Sequence, residues 1–191
     1  MKDTMKWLLY SPLIILHICC FYCSSNKMVI KADIDRWKLF RPHLQERSTL
    51  YALMYLLIFQ PSFRNQYYLR VGTVRVLLKL LLHEVPCSVL ETRDIGGGFV
   101  LMHGMGTSIN GLSRIGSNCT IYHNVLIGVG KDLNHAPIIG DDVTIGYGAI
   151  LLGDIRIGNR VRIGAGTVVT QDIPDDTTVV GQKPRMICHT R

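Results

Sequence analysis

The chain changes its hydrophobic rhythm halfway along. In the first 83 residues apolar positions cluster in long runs. Residues 7–23 (WLLYSPLIILHICCFYC) are almost wholly apolar and follow Lys2 and Lys6. Residues 30–47 are more polar. Residues 48–60 (STLYALMYLLIFQ) resume an apolar helical pattern, with Ser48 or Thr49 as N-cap and Pro61 as terminator. Residues 65–83 predict one further helix with basic residues along one side, and Pro86 marks a boundary. From about residue 95 aliphatic residues recur every six positions: Ile109, Ile115, Ile121, Ile127, then Ile139, Ile145, Leu151, Ile157, Ile163 and Val169. Glycine often follows directly, as at Gly116, Gly128, Gly140 and Gly158. A small or β-branched residue comes four places later, as at Ser113, Cys119, Val125, Ala149 and Thr167.

A period of six is neither helical nor a simple strand alternation. It predicts a parallel β-helix in which each hexapeptide forms a short strand and a turn, and three of them close one triangular coil. The aliphatic residue and the small residue four places on both point into the prism. Leu133 is in phase, but the inward small positions of its two repeats would hold Lys131 and Pro137. A lysine in a dry interior is costly, so residues 129–137 are expected to leave the coil as a loop. Two extra residues before Ile109 predict a smaller bulge. The expected class is α+β: a helical region over 1–86 containing the apolar segment 7–23, a left-handed β-helix over 87–187, and a short tail at 188–191.

Composition narrows the picture further. With 191 residues, 48% hydrophobic and 18% charged, the chain is not disordered, and its 18 glycines follow no collagen period. The net charge of +7 suits an anionic partner without choosing one. No P-loop, dinucleotide fingerprint or nucleic-acid motif is present. The six cysteines follow neither a metal-binding nor a disulfide spacing, which suits a reducing cytoplasm. Segment 7–23 is open to three readings: a packed or interfacial helix, a membrane anchor, or a cleaved signal. Pro12, His17 and the lack of a small-x-small cleavage site count against the last two. Peripheral association with the inner face of a membrane stays open.

The motifs DIGGGFVLMHGMGTSI, IGSNCTIYHNVLIGVG, IIGDDVTIGYGAILLGDIRIGNRVRIGAGTVVTQDIP and VVGQKPRMI, over about 84–187, resemble the hexapeptide acyltransferases and most closely the serine acetyltransferase branch. The resemblance implies an acetyl-CoA-dependent O-acetyltransferase, working as a homotrimer or dimer of trimers with sites between adjacent prisms. His103 stands at the family's catalytic histidine, and a histidine is a suitable general base for a hydroxyl at neutral pH. His135 lies in the loop that supplies the family's second histidine. His123, about one coil after His103, could stand beside it or be a surface residue. Around Gly146, Gly148, Gly164, Ala165 and Gly166 the backbone would hold the pantetheine arm, although coil geometry alone could also explain those glycines. Lys183 and Arg185 would meet the CoA phosphates, or simply be solvated.

Three positions depart from the family's pattern. Met102 replaces an acidic residue before the first histidine. Ser88 replaces the aspartate that orients it, for which Glu84, Glu91 or Asp94 could substitute. Asn134 replaces the arginine that grips the amino-acid carboxylate. Two acceptors are therefore carried forward: serine, feeding cysteine synthesis, and a sugar hydroxyl in surface polysaccharide. A third reading is a β-helix whose trimer packing gathers His103, His123 and His135 around zinc at the interface between prisms; on the acyltransferase reading no metal is expected. Cys119, at an inward small position, reads as core rather than as an acyl-carrying nucleophile.

Overall fold

A computed structural model of the chain describes residues 2–82, 89–92 and 94–181. Five helices come first: α1 (Lys2–Cys23), α2 (Lys27–Leu39), α3 (Thr49–Phe59), α4 (Pro61–Arg70) and α5 (Arg75–Leu81). Ser48 caps α3, its hydroxyl accepting from the Tyr51 N–H at 3.2 Å. Pro61 both ends α3 and opens α4, because a residue without an N–H is well placed in a first turn. The single helix expected over 65–83 is two helices. Gly72, at φ 69°, starts a 3-10 turn (Gly72–Val74) between α4 and α5, a backbone state that glycine reaches without steric cost.

The helices share one core around Trp37, Leu53, Leu56, Leu57, Phe63, Tyr67 and Tyr68. Into it α1 sends Ile14, His17 and Phe21, three and four residues apart and so on one helical face. The apolar 7–23 segment thus lies in a packed helix. Its other face, with Pro12, Ile15, Cys19 and Tyr22, is exposed. No single helix among the described residues is long and apolar enough to cross a membrane, and Pro12–Cys23 meets α2 at a bend of 119°.

Thirteen short parallel strands follow, sorted onto three faces. Face A stacks β1 (Val89–Leu90), β3 (Ser108–Ile109), β6 (Leu126–Gly128), β9 (Ile150–Leu152) and β12 (Val168–Val169). Face B stacks β4 (Arg114–Ile115), β7 (Ile138–Ile139) and β10 (Arg156–Ile157). Face C stacks β2 (Val100–Leu101), β5 (Thr120–Ile121), β8 (Thr144–Ile145), β11 (Arg162–Ile163) and β13 (Thr178–Val179). The register places the six-residue repeat in columns: Ile109, Ile127, Leu151 and Val169 on face A, Ile115, Ile139 and Ile157 on face B, and Leu101, Ile121, Ile145 and Ile163 on face C. These residues and the small ones four places on form the prism core. The arrangement is the expected α+β one, with a left-handed β-helix after the helices. Residues 129–137 contain no strand, and Leu133 is 71% exposed, so the in-phase leucine lies outside the prism.

The helices grip the first coil through a buried polar joint. The Phe99 N–H donates to Asp33 at 2.9 Å, and Gln66 Nε2 donates to the Phe99 carbonyl at 2.6 Å. Arg70 Nε donates to Asp33 at 3.0 Å, while its other nitrogens reach the Ile95 and Gly96 carbonyls. Trp37 Nε1 holds the Gln66 oxygen at 3.1 Å. Strand β2, which leads to His103, therefore starts from a residue fixed on both its backbone groups.

Candidate active site

Sheet order and sequence together assign each turn to an edge of the prism. Turns 102–107, 122–125, 146–149 and 164–167 lie in successive coils on the edge between faces C and A. His103, His123, Tyr147 and Ala165 fall on that one edge. The His103 and His123 rings stand 6.1 Å apart and nearly perpendicular, and the His123 and Tyr147 rings 4.4 Å apart. Asn124 Nδ2 donates to the Tyr147 hydroxyl at 3.4 Å. Tyr147 is a member that sequence reasoning missed.

His103 is exposed, in the turn between β2 and β3, with its backbone at φ 58°. Gly106 follows at φ 66°. Left-handed backbone at a histidine costs free energy and survives only where the surroundings impose it. Among the described residues no carboxylate hydrogen-bonds its ring. Two of the proposed substitutes are engaged elsewhere: Glu91 accepts from the Gly111 N–H on the edge between faces A and B, and Asp94 pairs with Arg114 at 3.3 Å on face B. Glu84 and Ser88 lie outside the described residues, as do Lys183 and Arg185. Met102 is buried in the helical core, a place where a carboxylate would be costly. Among the described residues the buried His123 Nδ1 has no hydrogen-bond partner.

The five residues expected to line the pantetheine arm divide into two kinds, apart from exposed Ala165. Gly146 is demanded by stacking, since a Cβ there would lie 2.7 Å from the Ala165 nitrogen, and Gly164 is tightly stacked, with a Cβ position 3.2 Å from the Val179 oxygen. Gly148 and Gly166, both at φ 65°, have nothing within 4 Å of the Cβ position. They leave the edge bare, so a thin acyl chain can lie directly on backbone. The track opens into a cleft of 370 Å³ lined by Gly166, Thr167, Val168, Val179, Val180 and Gly181.

His135 lies on a different edge, in the loop between faces A and B, so a single chain does not join it to His103. Asp132, a second residue that sequence reasoning missed, takes its Nδ1 in a short contact, and the Asn134 N–H donates to the same carboxylate at 2.9 Å. The Asp132 hydrogen bond, then its charge, raises the His135 pKa above the ordinary histidine value. The Asn134 amide and the His135 bond hold Asp132 below the usual carboxylate range. Replacing Asp132 by Ala removes both influences, so His135 should lose its proton at lower pH. An NMR titration of the His135 ring should show the midpoint moving down; an unmoved midpoint would refute the pairing.

Cys119 is buried, with its Sγ 3.2 Å from the Gly140 carbonyl, and burial pushes its thiol up to about 12. It is core, as its position in the repeat implies. Among the described residues of one chain no three His, Cys, Asp or Glu side chains are grouped to hold a metal ion.

Comparison with known proteins agrees with this geometry. The bacterial transferase hexapeptide family (six repeats) matches residues 136–171. A serine acetyltransferase of Synechococcus elongatus is 44% identical over 95 residues, 49% of this chain and 39% of that protein. One of Staphylococcus epidermidis is 37% identical over 134 residues, 69% of this chain and 62% of that protein. The solved soybean serine acetyltransferase, complexed with serine, superposes with a TM-score of 0.57 at 30% identity, covering 82% of this chain and 67% of that one. The chain belongs to the serine acetyltransferase-like hexapeptide acyltransferases. It spans less than two thirds of the length of the two curated relatives.

Proposed function

We propose that the chain transfers acetyl from acetyl-CoA to the hydroxyl of serine, as a cytoplasmic homotrimer. The observation that carries the reading is the single prism edge that joins His103 and His123 to the bare backbone of Gly148 and Gly166. On this reading His103 accepts the hydroxyl proton as the oxygen attacks the thioester carbon, then returns it to the departing thiolate. His123, with its free nitrogen, hydrogen-bonds the acceptor. Acetyl-CoA, the co-substrate, supplies the activated acetyl group. Its pantetheine lies along Gly148, Ala165 and Gly166, and Lys183 and Arg185 meet its phosphates.

The trimer is supported by face A. Its outward residues Leu126, Ile150 and Val168 form an apolar ladder, whereas face B turns Arg114 and Arg156 outward and face C carries Thr144 and Arg162. Turning face A inward around a threefold axis buries that ladder. It also sets the His103 edge of one copy against the His135 loop of the next. His135, whose pKa Asp132 raises, then stands beside Asn134, which carries no charge. The free thiols Cys19, Cys20, Cys23 and Cys119 suit the reducing compartment.

The test is thiol release from acetyl-CoA by purified protein, with L-serine as the only acceptor and the solution mass measured on the same sample. Serine-dependent release from a particle of three chains is expected. Release with sugar nucleotides and none with serine would overturn the acceptor.

A further inference from the structure

The +7 charge is unevenly placed. Residues 1–83 hold 12 Lys and Arg against 4 Asp and Glu, a balance of +8, while residues 84–191 hold 9 against 10. The excess sits entirely on the helical half, away from the site described above.

The same half carries exposed apolar residues on two neighbouring helices that no other described residue covers. On α1, Ile15 and Tyr22 are 63% and 53% exposed; on the neighbouring α5, Val76, Leu77 and Leu80 are 69%, 52% and 71% exposed. The two helices pack against each other. Apart from Asp3, neither contains an acidic residue. Lys2 and Lys6 belong to the first turns of α1, Arg75 opens α5, and Lys27 places its ammonium 4.8 Å over the Tyr22 ring. Tyrosine and lysine, each with an apolar body and a polar end, are favoured at a membrane–water boundary.

We propose that this α1–α5 face docks on an anionic lipid surface. The helices lie in the plane of the headgroups, with the apolar residues sunk among the acyl chains and the cations among the phosphates. Spanning is not required, and no single described helix is long enough for it. A second copy of the chain is a poorer occupant, because pairing two such faces would bring together two halves of +8 each. An anionic bilayer meets both the apolar residues and the charge.

The full chain should be sedimented with vesicles of phosphatidylcholine alone and of phosphatidylcholine with 30% phosphatidylglycerol. Binding to the anionic vesicles at least tenfold above the neutral ones is expected, with most of it lost in 0.5 M salt as the charges are screened. The triple variant Ile15→Glu, Leu77→Glu, Leu80→Glu should fall to the neutral level. All three side chains are exposed, so its melting temperature should stay near that of the parent, and a single Leu80→Glu serves if it does not. No sedimentation with anionic vesicles would overturn the proposal, as would equal binding by the variant. So would self-association that the variant abolishes while vesicle binding is absent, which would assign the face to a second copy. None of these readouts depends on acetyl transfer.

Discussion

Replacing His103 by Ala should lower kcat for acetyl transfer by about 10² to 10⁴-fold, the range that a positioned general base contributes. The KM for acetyl-CoA should change little, because the bare track at Gly148 and Gly166 is untouched. The ring is exposed and meets only His123 among the described aromatic residues, so the fold should survive. Alanine is less tolerant than histidine of a φ of 58°, and a second variant, His103→Asn, covers this point. Asparagine accepts left-handed backbone readily but is no base at neutral pH. Both variants should be equally inactive, with circular dichroism spectra and trimer mass like the parent's. Turnover near the parent level in either would remove His103 from the role of base.

A second large effect should follow from Asp33→Ala. Asp33 and Arg70 are 2% and 9% exposed at their side chains and 3.0 Å apart. Burial raises the Asp33 pKa, while the Arg70 charge acts in the opposite direction. Removing the carboxylate leaves a buried guanidinium without a counter-charge, a loss of about 3–5 kcal/mol. It also strips the acceptor from the Phe99 N–H. For a chain of this size the melting temperature should fall by roughly 6–20 °C. Adding Arg70→Met should restore part of the loss, because the stranded charge goes with it. A single variant that melts with the parent would show that the joint contributes no net stability.

The prism was legible because its period doubles as its register. Once each sixth residue is known to point inward, the same count keeps Leu133 in phase but puts Lys131 and Pro137 at inward positions, which predicts the loop. Tyr147 could have been found by the same arithmetic. It follows His123 by 24 residues, one ordinary coil plus the six that the loop adds. Asp132 left a weaker trace, an acidic residue three places before a histidine in a loop. Within the helices the pattern was less informative. Apolar run length does not reveal that Gly72 takes a left-handed turn, so one helix was expected where two occur. Nor does any local pattern join Asp33 to Arg70, which are 37 positions apart and meet only because α2 and α4 pack together. The charge pair belongs to tertiary structure, whereas the repeat belongs to the chain itself.

The grip on Phe99 also sets a direction of assembly. A ribosome delivers the helices before the coils, so the clamp of Asp33, Gln66 and Arg70 can exist before any strand needs a partner. Each coil then arrives beside one already in place and borrows its register, as nearest-neighbour stacking requires. The mature molecule keeps a trace of that history as a gradient. Its first coil is anchored from outside the prism, whereas β13 is held within the sheets only through β11. Among the described strands, local opening is expected to start at the trailing end, where a coil has one neighbour, and to stop short of the leading one. A bound nucleotide at the trailing end would tie down the part of the solenoid that synthesis leaves loosest.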